Sequence, residues 1–275
     1  MDTSDQLLRE WPPGYGGVER VVHEMASVWG GTVYSFDVQG RSAYEQDALF
    51  VNYKRQTLPA SQPLGRMTLP LPSRKLWRLL WSMRPLHGHL PCPGVLLLLV
   101  IARLVHRRRF VSVHWHCFLE RGPGLHGLLF SLYQWLALRM LPAFSEVVTT
   151  SALLAQELVR CGCAPQRVSV LSCCLSEEQE CKELAIPQRG FNDGDPLRII
   201  FIGRLESYKR LDWLLESLSV LRVPWQLAVI GDGPLRIEFE NISNALLGKK
   251  APVSFHGRVD EASKLAQLAR ADLLV

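Results

Sequence analysis

From Arg198 to its last residue the chain alternates short apolar runs, glycine-bearing turns and amphipathic stretches. Ile199–Ile202 is continuous and apolar, as a strand buried on both faces must be. It runs into Gly203, and an amphipathic helix begins near Arg210. Gln226–Ile230 repeats the buried-strand pattern, ends in Gly231-Asp232-Gly233-Pro234, and precedes a helical stretch over Leu235–Leu247. Val253–Phe255 leads into His256-Gly257-Arg258-Val259, an amphipathic helix over Glu261–Arg270 and a final strand-like run, Leu273–Val275. Strands that alternate with helices and end in glycine turns call for an α/β architecture on a doubly wound parallel sheet.

The turn after the first of these strands carries two fixed cations. Arg204 and Lys209 bracket it, at the carboxyl end of a parallel strand and beside a helix start, a place suited to a diphosphate. A side chain in place of Gly203 would obstruct a ligand there. A second glycine loop lies near the N-terminus, where Gly14, Gly16 and Gly17 permit close backbone approach. Val18, Val21, Val22, Met25 and Ala26 follow at helical spacing and give a core-facing stripe. Free N–H groups at that helix start would face an anionic or polar ligand. Glu19 stands where a Rossmann G-x-G-x-x-G loop has its third glycine, which argues against an NAD-binding oxidoreductase.

In their order and spacing, FIGRLESYKRLDWLLES, VIGDGPLR, VSFHGRV and LARADLLV resemble the nucleotide-binding half of a GT-B glycosyltransferase. PPGYGGVERVVHEMASVWG resembles the first loop and helix of the same enzymes. The specific likeness is to the large retaining family 4, the glycosyl transferases group 1. The resemblance implies two Rossmann-like domains facing a cleft, the first binding an acceptor and the second, here incomplete, binding a nucleotide sugar. It implies a retaining glycosyltransferase that moves a hexose to a glycan or lipid-linked acceptor in cell-envelope polysaccharide or glycolipid synthesis. On that resemblance Arg204 and Lys209 would stabilise charge on the leaving diphosphate. Gly16, Gly17 and Gly203 would abut the donor, and Gly231, Gly233, Gly257 and Val259 would shape its nucleoside slot. The family often carries a histidine just after the strand that here ends in HWH. His114 and His116 face the same way along that strand, and His116, nearer the carboxyl end, is the candidate beside the acceptor and the sugar's C6 hydroxyl. No metal ion and no cofactor is expected, since no DxD-like carboxylate pair stands at a strand end to hold Mg²⁺.

Two departures qualify the likeness. Cys173-Cys174-Leu175-Ser176 replaces the family's Asn-Gly-Val-Asp-like turn, and the family's E-x7-E motif, whose carboxylates hold the donor sugar and ribose, would fall beyond Val275. At the other end, MDTSDQLLREWPP reads as too polar for the central strand that opens relatives. The expectation is a chain truncated at both ends, and the alternative is a catalytically inactive module that keeps the fold and binds nucleotide or a membrane surface.

The chain has 275 residues with 48% hydrophobic content, enough for two ordinary cores. The polar stretch Ser176–Pro196 has linker composition and divides an N-terminal domain (1–180) and linker (181–196) from a C-terminal domain (197–275). In the first half the spacing predicts helices over 17–29, 73–83, 94–109 and 124–140, and one from Ser151 to Arg160. Strands are expected at Thr32–Phe36, Phe110–Val113, Val147–Thr150 and Arg167–Leu171, with a variable proline-rich stretch over Pro59–Pro72. The most apolar run, Val95–Ala102, is far short of the roughly 18 residues of a membrane span. Seven cysteines, five of them between Cys161 and Cys181, match no zinc-knuckle spacing and read as reduced thiols of a cytoplasmic protein.

Net charge is only +5, but it is unevenly placed. No acidic residue occurs between Asp47 and Glu120, a stretch that carries Lys54, Arg55, Arg66, Arg74, Lys75, Arg78, Arg84, Arg103, Arg107, Arg108 and Arg109. Trp77, Leu80 and Trp81 lie among these at helical spacing. Two readings stay open: peripheral contact with an anionic membrane, at its inner face, or a solvated basic face with the tryptophans in the core. Nucleic acid is not expected as a partner, since no recognition-helix or RNP-type pattern accompanies the charge.

Overall fold

The computed structural model describes residues 3–9, 17–37, 52–61, 68–119, 124–172, 194–248 and 252–275. The chain divides into two compact units, Met1–Cys174 and Leu175–Val275. Gly14, Gly16, Arg66, Cys173, Cys174 and Cys181 lie outside the described residues. Among the described residues Cys161 and Cys163 are free thiols, the first exposed and the second buried.

The first unit is built in the order β1 (Asp5–Leu8), α1 (Gly17–Trp29), β2 (Thr32–Asp37), β3 (Lys54–Pro59), α2 (Arg74–Trp81), β4 (Leu86–Leu90), α3 (Pro93–Val105), β5 (Val111–Trp115), α4 (Gly124–Met140), β6 (Glu146–Thr149), α5 (Ala152–Arg160) and β7 (Val168–Val170). Its seven strands form one parallel sheet in the order β3-β2-β1-β4-β5-β6-β7. The chain winds outward one way from β1 and the other way from β4, so the topological switch point lies between them. Ligands of open α/β sheets bind outside the carboxyl ends of the strands at that point.

β1 corrects the reading of the N-terminal residues as too polar for a central strand. All four of its residues are buried, between β2 and β4. Tertiary partners satisfy what hydropathy counts against it. The Thr32 N–H donates to Asp5 Oδ1 at 2.9 Å, and Arg84 Nη1 lies 3.9 Å from the same oxygen. Burial outweighs both and raises the Asp5 carboxyl above the usual carboxylate range. Gln6, fully buried, meets a histidine of β4.

The two faces of this sheet differ. Leu7, Leu86, Leu90, Val111, Val113 and Trp115 face the larger core with residues of α2, α3 and α4. Each such side chain, fully buried, stabilises by about 1.5–3 kcal/mol. Leu8 and Val33 face Val22 and Ala26 of α1 in a smaller cluster. Helix α2 is capped by Ser73, whose Oγ accepts from the Leu76 N–H at 3.1 Å, and it buries Leu76, Leu79 and Leu80. Trp77 and Trp81 point outward, 55% and 60% exposed, which overturns the reading that places them in the core. Two of the basic residues are structural. Arg109, 1% exposed, donates to the carbonyls of Arg84 and Leu79, and Arg103 donates to those of Arg107, Arg109 and Ala143. No helix among the described residues is long and apolar enough to cross a membrane.

The second unit runs β8 (Leu197–Ile202), α6 (Leu211–Ser219), β9 (Trp225–Ile230), α7 (Arg236–Leu247), β10 (Val253–Gly257), α8 (Glu261–Leu268) and β11 (Leu273–Leu274). Its four parallel strands lie in the order β10-β9-β8-β11, which puts a second switch point beside β8. Leu211, Leu215 and Leu218 of α6, spaced along one helical face, close its core over Ile199, Phe201, Leu227 and Val229.

Candidate functional site

Each unit places a group of polar residues at the carboxyl ends of its strands. In the second unit the loops after β8, β9 and β10 are tied to one another through backbone. The Gly203 N–H donates to the Ile230 carbonyl, that of Gly231 to the Gly257 carbonyl, and that of Leu205 to the Asp232 carbonyl. Gly231 has φ +133°, and a Cβ there would lie 1.8 Å from the Gly203 carbonyl oxygen. A Cβ on Gly233 would lie 2.4 Å from the Leu205 oxygen. These two glycines are therefore required by loop-on-loop packing, a reason that the sequence pattern alone did not show. Gly203 differs. A Cβ there would meet only ordinary contacts, Phe201 at 3.4 Å and the Lys209 stem at 3.7 Å. Packing of the loops does not by itself require a glycine at that point.

Arg204 and Lys209 both lie on the exposed loop that follows β8. Arg204, its side chain 62% exposed, has an ion pair with Glu206 at 3.5 Å, a surface contact worth little in itself. Lys209 ends a single 3₁₀ turn, Ser207–Lys209, and its ammonium stands 5.4 Å from the centre of the Tyr208 ring. Arg210, in left-handed conformation (φ 53°), is turned elsewhere: it lies over Trp213 and pairs with Asp212. Gly257 ends β10 and is buried, with Val259 half-buried just after it.

In the first unit Gly17 opens α1, and a Cβ added there would meet nothing within 4 Å among the described residues. Gly16 falls outside the described residues. His116 directly follows β5, and it does not stand alone. Parallel register pairs Gln6 with His87, His87 with Ser112, and His89 with His114. Residues in register share a face, and alternate residues of a strand return to it. Gln6, His87, His89, Ser112, His114 and His116 thus line one side of the sheet, with Trp29 of α1 edge-on to His87. The rings of His114 and His116 are stacked, 4.2 Å apart and 2° from parallel. His87 Nδ1 and Ser112 Oγ are 2.7 Å apart. Sequence reasoning missed His87, His89 and Gln6; the alternation in LHGHL, matching that in HWH, was the available signal.

Burial lowers every one of these imidazoles. His87 is pushed down to about 3, with His114 as a lesser cause, and His114 to about 4. His89 and His116 are held well below the usual histidine range by burial and then by neighbouring rings. The cluster is neutral at pH 7. Ring nitrogens of His87, His89 and His114 fall within 4.8 Å of one another. A tetrahedral zinc with bonds of about 2.0–2.1 Å needs ligand atoms that converge to about 3.4 Å. His87 Nε2 and His114 Nδ1 approach to 3.5 Å, while the three residues together come only within 4.8 Å, wider than such a shell.

Residues 15–179 match the family model for Glycosyltransferase Family 4, and residues 196–275 match that for Glycosyl transferases group 1. No curated protein sequence matches the chain. Among solved structures, HepE of Anabaena with UDP is similar at TM-score 0.67 and 14% identity, over 99% of this chain and 73% of that one. The lipopolysaccharide outer core galactosyltransferase WaaB is similar at TM-score 0.59 and 14% identity, over 99% and 73%. TarM of S. aureus is similar at TM-score 0.67 and 8% identity, over 100% and 80%. At these identities the likeness is one of fold, the GT-B class.

Two outcomes follow from the geometry. Folded-state histidine values below the unfolded value of about 6.5 mean that the unfolded chain binds more protons in acid. Stability is then level above pH 6.5 and falls below it, by roughly 1.4 kcal/mol per pH unit for each buried histidine. Urea titrations at pH 7.5, 6 and 5 should show a loss steeper than one proton; a flat profile would mean that the rings are exposed. Separately, Gly231→Ala should lower the melting temperature sharply while Gly203→Ala leaves it unchanged. Equal melting temperatures for the two variants would remove the distinction between packing and ligand clearance.

Proposed function

This chain belongs to glycosyltransferase family 4, and on that premise we propose that it is a retaining hexosyltransferase using a nucleotide-diphosphate sugar as donor. The acceptor is a glycan or lipid-linked glycan of the cell envelope. One observation carries the reading: two exposed cations, Arg204 and Lys209, follow Gly203 at the switch point of the second sheet, where packing alone does not call for a glycine. Anabaena HepE holds UDP-glucose, which supports a UDP-hexose as donor. WaaB, a lipopolysaccharide galactosyltransferase, supports an envelope acceptor.

In such a reaction the bond from the anomeric carbon to the diphosphate breaks. Negative charge grows on the leaving phosphate, and cationic character grows on the sugar. A cation fixed at about 4 Å with an effective dielectric near 20 is worth about 4 kcal/mol, or roughly three orders of magnitude in rate. Arg204 and Lys209 take this role, and the proposed transfer needs no metal ion. Gly231, Gly233, Gly257 and Val259 frame the nucleoside. In the first unit, Gly17 at the start of α1 and His116 after β5 are the candidates for contact with the sugar and acceptor.

The outward tryptophans of α2 support the membrane reading within this proposal. Trp81 stands edge-on to His106, and exposed Leu104, Val105 and Phe110 lie in the segments that flank that histidine. Exposed Arg74, Lys75, Arg78, Arg107 and Arg108 belong to the same elements. Amphipathic rings beside cations suit the interface of an anionic leaflet, such as the inner face of the cytoplasmic membrane.

Incubation of the full-length protein with UDP-, GDP- and ADP-hexoses and lipid-linked glycans should give transfer that Arg204→Ala or Lys209→Ala abolishes. Near-normal rates in both variants would refute the assignment. The same preparation should sediment with anionic vesicles and lose that with Trp77→Ala/Trp81→Ala; sedimentation unchanged by the substitutions would remove α2 from the surface.

A further inference from the structure

Side chains from β1, from β4 and from the residue just after β5 form a hydrogen-bonded chain that ends at His116. His116 Nε2 lies 2.9 Å from His89 Nδ1, and His89 Nε2 lies 3.0 Å from Gln6 Oε1. An amide carbonyl oxygen only accepts, so the proton of His89 sits on Nε2. Its Nδ1 is then a lone pair and accepts the His116 Nε2–H. That leaves His116 Nδ1 as a second lone pair, with no hydrogen-bond donor to it among the described residues. The inner end of the chain is closed, Gln6 and His89 being 0% and 3% exposed, whereas His116 is half-buried at the end of β5. The parallel face of His114 at 4.2 Å holds the plane of the His116 ring. Burial keeps both His89 and His116 unprotonated at neutral pH, so that each carries one N–H and one acceptor nitrogen.

We propose that Gln6 and His89 are positioning residues that fix the tautomer of His116, so that its ring offers substrate a hydrogen-bond acceptor at Nδ1. The proposal rests on the reading of His116 as the group beside the transferred sugar and acceptor. It deepens that reading by naming the substrate class. A hydroxyl donates to an acceptor nitrogen, whereas a carboxylate has only lone pairs to offer. The sugar met by His116 therefore carries a hydroxyl at that position, as a hexose does, and is not a uronic acid. The polarity runs outward from Gln6, a residue that no periodicity in the sequence singles out.

The tautomer can be read without any substrate. With the 275-residue chain labelled with ¹⁵N-histidine, two-bond proton–nitrogen correlations distinguish the Nε2–H from the Nδ1–H form. Wild-type His116 should be in the Nε2–H form. Gln6→Met and His89→Phe should convert it to a mixture. His89→Gln, whose amide can both accept from His116 and donate to Gln6, should restore the single form. An Nδ1–H ring in the wild type, or a tautomer indifferent to Gln6→Met, overturns the proposal. Should His89→Phe fail to fold, Gln6→Met and His89→Gln still decide it.

In transfer assays His89→Phe should lose about tenfold in kcat/KM, the factor that one hydrogen bond of about 1.4 kcal/mol supplies, and His89→Gln should keep most of it. Equal rates for the two variants contradict the positioning role, and faster use of UDP-glucuronate than of UDP-glucose contradicts the substrate class. Unchanged transfer in Arg204→Ala would instead strike the donor-site reading, so the two failures are separable.

Discussion

Parallel register between β1, β4 and β5 is the constraint on which the first unit's chemistry depends. It places Gln6 opposite His87 and His89 opposite His114, and strand alternation returns His116 to the same side. Half of the chain's eight histidines thereby meet on one face of one sheet, beneath α1. A slip of one residue in β4 would turn His87 and His89 into the apolar core on the opposite face. Neutral imidazoles can share hydrogen bonds with one another, with Ser112 and with Gln6, whereas charged ones would repel at these separations. Burial settles the matter in favour of the neutral form, and this same neutrality gives each ring a defined donor and acceptor.

The second unit is organised by a different means. Its loops are joined backbone to backbone, and two glycines are present because another loop's carbonyl occupies the space of a side chain. That lattice of main-chain bonds sets the position of Gly203, where an added Cβ would meet only ordinary contacts. The cations beside it are exposed and only loosely held, Arg204 by Glu206 and Lys209 near Tyr208. On the proposed function, rigid backbone with adaptable charge would suit a diphosphate whose own charge changes as the sugar leaves.

Much of this fold was legible in the sequence where strands are continuous apolar runs, as in β8 and β9, and where a serine caps a helix, as Ser151 does for α5. The strands that escaped notice are DQLL, KRQTLP and LHGHL. The first and last hold polar residues whose partners come from elsewhere in the chain, Asp5 from Thr32 and His89 from Gln6, and the middle one is mostly polar. Hydropathy scores such residues as exposed because it cannot see the partner. The glycines of the second unit were recognised as special, but the sequence could not tell a glycine crowded by a neighbouring loop from one that packing does not require. Trp77 and Trp81 were ambiguous for a similar reason, since helical spacing alone does not say which face of a short helix the core takes.

The central claim is that the second unit holds a nucleotide through its diphosphate. Thermal unfolding of the chain with UDP, GDP and ADP, each set against its monophosphate at equal concentration, measures this directly. A ligand that binds only the native state at a hundred times its dissociation constant adds about 2.7 kcal/mol to apparent stability. The account predicts a rise in melting temperature with one diphosphate and a much smaller one with its monophosphate. No rise with any of the three diphosphates, or equal rises with the paired monophosphates, would contradict it.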